Sequence, residues 1–241
     1  MMPNSRNVIG LGPRLPRVKV CGLTNATDAH TALAAGADAF GAVHYPPSPR
    51  SVEATAMAAI FAELPKNSWK VGVVVDLDPG LAADFVACSQ VNALQLCGSE
   101  QASDWVDSPV PLLRRIPVDA TGAAEIQAWT GVACGFVLDH PKSAGGSGLP
   151  VDFELAAKLA ASAPCLLAGG LSAGNATAAI AAVQPCGVDA SSRLEQLPGR
   201  KNPAEVLAFV RAAHAAFERW NARSVLPQAK HTSSDPSDPA N

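Results

Sequence analysis

From Val18 onward, short runs of β-branched and apolar residues alternate with longer Ala-rich segments whose apolar positions recur at helical spacing. The short runs predict strands at Val18–Cys21, Ala39–Val43, Lys70–Val75, Ala93–Leu96, Leu112–Pro117, Gly135–Leu138, Cys165–Ala168 and Gly187–Ala190. The segments between and after them predict helices at Asn25–Ala35, Val52–Leu64, Leu81–Gln90, Glu100–Val106, Ala123–Trp129, Asp152–Ala161, Ala173–Val183 and Pro203–Arg219. Local chemistry supports several boundaries. Asn25 lies three residues before Asp28 as an N-cap would, Gly36 falls where a left-handed C-cap belongs, and Pro203 follows Asn202 at a helix start. Eight strands, each followed by a helix, predict an α/β chain folded as a single (β/α)8 TIM barrel, because an open doubly wound sheet usually has fewer strands.

Composition narrows the class. The 241 residues are 48% hydrophobic and 16% charged, enough apolar material for one large core, and the net charge of −3 offers no basic excess for nucleic acid. Gly, Asp, Pro or a charged residue cuts every apolar run before the ~20 residues of a membrane span, so a soluble chain with no membrane partner is expected. Residues 1–16, with Pro3, Pro13 and Pro16, lack the apolar stretch of a secretory signal and read as a flexible leader to a barrel over residues 17–220. Residues 221–241 turn to Ser, Asp, Pro, Gln and Lys and read as a disordered tail. The cysteines Cys21, Cys88, Cys97, Cys134, Cys165 and Cys186 form no Cys-x-x-Cys pair, which points to reduced thiols in a cytoplasmic protein.

In a barrel of this kind the chemistry lies at the C-terminal ends of the strands. Polar ends converge there: Cys21-Gly22 after strand one, the loop His44 to Arg50 after strand two, Cys97-Gly98 after strand four, and Asp139-His140 after strand six. Three anion-binding signals follow on consecutive strands: Gly145-Gly146-Ser147-Gly148, Gly169-Gly170 and Ser191-Ser192. Glycine lets backbone N–H groups approach a phosphate, and serine adds hydroxyl donors. A Gly-rich stretch alone is more often a turn. A cysteine alone is usually a small core residue, the reading given to Cys88, Cys134, Cys165 and Cys186. Asp139 alone could cap a loop and Arg50 could be a solvated charge. Lys19 shares the strand face of Cys21 but is expected to sit lower in the barrel and to help it little.

Taken together, Lys19-Val20-Cys21-Gly22-Leu23-Thr24, Tyr45-x-x-Ser48-x-Arg50, Leu94-Gln95-Leu96, Leu138-Asp139 with the following glycines, Leu167-Ala168-Gly169-Gly170-Leu171 and Gly187-Val188-Asp189-x-Ser191-Ser192 resemble the phosphoribosylanthranilate isomerase family, in that family's order. The resemblance implies a (β/α)8 enzyme of tryptophan biosynthesis. Its reaction is an Amadori rearrangement of an anthranilate-linked phosphoribose, with no metal or other cofactor and a small phosphorylated molecule as its partner. It makes Cys21 the general base and Asp139 the general acid. Arg50 would grip the anthranilate carboxylate, and Gly146, Gly148, Gly169, Gly170, Ser191 and Ser192 the phosphate, while Asp189 either orients that phosphate loop or a neighbouring group or is purely structural. For these roles the thiolate needs a nearby cation and the acid a raised pKa.

Three positions depart from the family: Cys97 stands where it has histidine, His44 where it has phenylalanine, and Arg193 where it has glycine after the serines. His44 and Cys97 form a candidate exchange of polar groups across the mouth, and a left-handed backbone at Arg193 would be costly. A zinc site among Cys21, His44, Cys97 and His140 is disfavoured by their spacing. The other readings are a related phosphosugar barrel enzyme, which would need a catalytic lysine or a metal cluster, and a catalytically impaired barrel that only binds a phosphorylated ligand. A monomer is the default.

Overall fold

The computed structural model describes residues 14–141 and 150–225. Its strands are β1 (Val18–Val20), β2 (Ala39–His44), β3 (Trp69–Val74), β4 (Ala93–Leu96), β5 (Leu112–Pro117), β6 (Gly135–Asp139), β7 (Cys165–Leu167) and β8 (Gly187–Ala190). They pair in parallel in chain order, and β8 pairs with β1 to close the barrel. Strand periodicity separates two cores. Residues facing inward, such as Val71, Ala93, Leu113 and Leu166, fill the barrel, while Val74, Leu94, Leu112 and Leu138 face the helices outside it.

Among the described residues, seven α-helices surround the strands: α1 (Ala26–Ala35), α2 (Ala54–Phe61), α3 (Ala82–Ser89), α4 (Gly122–Trp129), α5 (Phe153–Ala160), α6 (Ala176–Val183) and α7 (Pro203–Val225). Asn25 is the N-cap of α1, its Oδ1 accepting from the Asp28 N–H at 2.8 Å, and Gly36 ends the helix at φ 97°. The helix expected at Glu100–Val106 is instead a 3-10 turn over Ala102–Trp105. Asp107-Ser108-Pro109 stops the segment before a second turn can form, and buried Trp105, with Ala102 packed beside the core, anchors it.

Both expected ends shift. Leu15 and Pro16, assigned to a flexible leader, are buried, and Leu15 joins the apolar cluster inside the barrel. At the other end α7 runs through Val225, so the expected tail begins at least five residues late, beyond the Phe217–Trp220 ring contact that anchors the last turns. Residues 1–13 and 226–241 lie outside the described residues. An unexpected hairpin follows β8: β9 (Glu195–Leu197) and β10 (Arg200–Lys201) pair antiparallel around Pro198-Gly199. It is tied to the barrel where the Lys201 N–H donates to Asp28 Oδ2 at 2.9 Å and the Thr24 hydroxyl donates to the Gly199 carbonyl.

Candidate active site

A cavity of about 240 Å3 opens at the C-terminal ends of the strands. Cys21, Arg50, Asp139 and Asp189 line it together with the turns Gly169-Gly170 and Ser191-Ser192. Eight of the ten expected site residues therefore meet at one mouth. Gly146 and Gly148 lie outside the described residues.

Cys21 is held just past the end of β1 by its N–H, which donates to the Ala190 carbonyl at 2.9 Å. The next residue, Gly22, has φ 71°, and a Cβ there would come within 2.7 Å of both Ser191 Oγ and Arg50 Cδ. Glycine lets these two side chains close over the strand end. Gly41 on β2 serves the thiol similarly: a Cβ at that position would lie 2.7 Å from Cys21 Sγ and 3.2 Å from Lys19 Cε. The expectation that Lys19 lies apart from Cys21 is thus corrected. The missing side chain of Gly41 leaves one space that both the thiol and the end of the lysine chain enter. Lys19 is fully buried, and its Nζ donates to Asp189 Oδ2 at 2.7 Å. Burial works against its charge, but attraction to Asp189 and Cys21 outweighs that and raises its pKa.

Burial also pushes the Cys21 thiol up, with Lys19 pulling it down, Asp189 adding to the rise and Lys201 opposing it. Asp139, the last residue of β6, is raised chiefly by burial, against the His140 N–H donating to Oδ1 at 2.8 Å and the Arg115 guanidinium. Arg115 Nε lies 3.9 Å from Asp139 Oδ2, and its Nη2 donates to the His140 carbonyl at 2.7 Å.

Arg50 does not present an open fork. Its Nε and Nη2 donate to Glu195 Oε1 and Oε2 at 2.9 and 2.8 Å, and Lys201 Nζ donates to the same Oε1 at 2.8 Å. Burial opposes ionisation of Glu195, but these hydrogen bonds overcome it and hold the carboxyl below its ordinary range. Sequence reading missed Glu195, Lys201 and Arg115. The first two come with the hairpin, whose signal was the Pro198-Gly199 turn, and Arg115 follows Leu113 on the inward face of β5.

The departures also resolve. His44 points outward from β2, its Nδ1 within 3.0 Å of the Val52 carbonyl and its ring against Phe85, while Cys97 faces inward toward Gln95. They do not meet, so no polar exchange links them. Burial pushes the Cys97 thiol up to about 12, leaving it a neutral wall of the cavity. Arg193 lines the mouth without a left-handed backbone, so the lost glycine costs no strain there.

A buried thiol and a buried carboxyl sharing one cavity are equipment for moving protons on a bound molecule, and glycine–serine turns beside them suit an anionic tail. Fold and site together are those of a (β/α)8 enzyme whose mouth gathers a buried thiol, a buried carboxyl and two glycine- or serine-bearing turns. Residues 18–212 match the family model of N-(5'-phosphoribosyl)anthranilate (PRA) isomerase, and the chain belongs to that family. Among its relatives, the N-(5'-phosphoribosyl)anthranilate isomerase of Azorhizobium caulinodans is 38% identical over 209 residues, spanning 83% of this chain and 92% of that protein. The Geobacter sulfurreducens isomerase is 37% identical over 199 residues, spanning 82% and 98%. A crystal structure of the isomerase in complex with reduced 1-(o-carboxyphenylamino)-1-deoxyribulose 5-phosphate superposes with a TM-score of 0.73 at 30% identity, covering 83% of this chain and all of that one. The Thermotoga maritima enzyme gives 0.76 at 29%, with the same coverage. The protein is a phosphoribosylanthranilate isomerase, an intramolecular oxidoreductase of tryptophan biosynthesis that converts an aldose to a ketose. No described helix is long and apolar enough to cross a membrane.

Proposed function

We propose that Asp139 and Cys21 carry the rearrangement as general acid and general base. Asp139 protonates the ribose ring oxygen, the C1–O bond breaks, and the anthranilate nitrogen lone pair forms an iminium at C1. The Cys21 thiolate then takes the C2 proton, and the C2–H electron pair becomes the C1–C2 double bond as the iminium pair returns to nitrogen. The resulting enol-amine tautomerises to the ketose. Burial favours the protonated carboxyl that the first step uses, and the neighbouring ammonium favours the thiolate that the second uses.

The substrate class is an anthranilate-linked phosphopentose, in keeping with the reduced product analogue in the related crystal structure. We assign the phosphate to Gly169, Gly170, Ser191 and Ser192, with Gly146 and Gly148 expected to join them. Gly169 and Gly170 have φ 85° and 65°, a backbone that glycine adopts readily, and with no side chains they leave the main chain open to close approach by an anion. Arg50, held rigid by Glu195, offers its remaining edge to the anthranilate carboxylate, and Asp189 faces the sugar. The observation that carries this reading is the meeting of Cys21, Asp139 and the two turns in a single cavity. The direct test follows the fluorescence decay of substrate made in place from anthranilate and phosphoribosyl pyrophosphate. Cys21→Ala and Asp139→Asn should each lose turnover while remaining folded, and near-normal turnover in both would overturn the assignment.

The protein is further taken to act as a cytoplasmic monomer. Its large exposed apolar residues, Leu81, Val106, Leu197 and Leu207, are scattered over separate elements, and its described cysteines are all free. Sedimentation velocity at micromolar concentration should show one species at the monomer mass.

A further inference from the structure

We infer that the Lys19–Asp189 ion pair is a positioning device that holds the negative charge of Cys21 in place for C2 deprotonation. This rests on Cys21 as the base and says how that base is made available. Lys19 has no exposed surface, is anchored at 2.7 Å by Asp189, and shares with Cys21 Sγ the pocket left by the missing side chain of Gly41. A lysine buried this deeply needs an anion beside it to stay protonated; Asp189 and the Cys21 thiolate can each serve, and Asp189 fixes where the ammonium sits. The strand register sets the distance, because Lys19 pairs with Asp189 across β1 and β8 while Cys21 lies two residues further along the same face. Lys19 keeps its proton throughout: the C2 proton goes to sulfur, and the ammonium compensates the charge that sulfur carries beforehand.

The charged and titratable groups around the thiol are Lys19 on its own strand, Asp189 on β8, Lys201 on β10, Arg50 in the loop after β2 and Cys97 just past β4. Of these, Lys19 is the strongest influence favouring the thiolate, and Asp189 opposes it. The two members of the pair should therefore move the thiol in opposite directions, which a purely structural pair would not do.

The experiment measures iodoacetamide labelling of the Cys21 peptide by mass spectrometry as a function of pH, in wild type, Lys19→Met and Asp189→Asn, with kcat/KM measured alongside. Lys19→Met should raise the labelling midpoint by about one pH unit or more, a roughly tenfold loss of thiolate at a given pH below it, and Asp189→Asn should lower it. If circular dichroism shows a single variant unfolded, Lys19→Met/Asp189→Asn, which removes both buried charges, takes its place and should titrate above wild type. Unmoved midpoints, shifts of the two variants in the same direction, or a double variant titrating at or below wild type overturn the inference. If Cys21→Ala is inactive while the midpoints stay put, only the inference falls. Full turnover in Cys21→Ala removes the base assignment, and the inference with it.

Discussion

The thiol beyond β1 and the carboxyl ending β6 face one cavity from different electrostatic settings. The thiol lies among Lys19, Asp189 and Lys201, charges fixed by short hydrogen bonds. The carboxyl is governed chiefly by burial, opposed by the His140 N–H donating at 2.8 Å and by the Arg115 guanidinium at 3.9 Å. Burial raises both groups, which favours the protonated carboxyl that ring opening needs and opposes the thiolate that C2 deprotonation needs. Lys19 and Lys201 work against burial on the sulfur side, whereas at the carboxyl burial itself favours the state the chemistry uses.

The comparison breaks most visibly when either member is removed. Cys21→Ala and Asp139→Asn should each lower kcat by ~10²–10⁴-fold, the usual contribution of a positioned acid or base, with the far-ultraviolet spectrum unchanged. The charged cluster on the β8 side should show next. Glu195→Ala strands Arg50 and Lys201 and should cost about 3 kcal/mol in urea unfolding, with a raised KM because the mouth arginine loses its anchor. Arg50→Lys, which cannot make the parallel pair of bonds, should raise KM by about tenfold with a smaller loss of stability.

On the carboxyl side the contrast can be sharpened by pH. Because Asp139 is raised in the folded protein, its stability contribution is full below its unfolded pKa and is lost as pH rises through its folded one. Asp139→Asn, which can still accept from His140, should thus be more stable to urea than wild type at pH 7, with the gap closing as pH falls below the ordinary aspartate range. Arg115→Met should move upward the limb of the kcat/KM profile that follows Asp139 and leave the limb that follows Cys21 in place. The smallest effect belongs to Asn25→Ala, far from both groups. Losing the α1 cap should cost about 1 kcal/mol of stability and leave kcat unchanged.

The barrel was legible because its signals are local and repeated. β4, β5 and β8 run over the predicted residues, since each is a short apolar run closed by polar or turn-forming residues. The 3-10 turn before β5 was not legible, because one tryptophan outweighed a helical pattern too short to propagate. At the site, Cys21, Asp139 and the two turns were read from motifs, while their electrostatics were not. That Lys19 reaches sulfur depends on a glycine across the strand pair, and that Arg50 is already gripped depends on Glu195, 145 residues away in a hairpin without an apolar pattern. Contacts of this kind are set by register and closure, which a single strand's sequence does not encode.

The account stands most directly on Cys21. Fluorescence decay of the anthranilate-derived substrate, followed side by side in wild type and folded Cys21→Ala at equal enzyme concentration, should be at least about a hundredfold slower in the variant at every pH from about 6 to 9. Decay in the variant within a few-fold of wild type would mean that sulfur does not take the C2 proton.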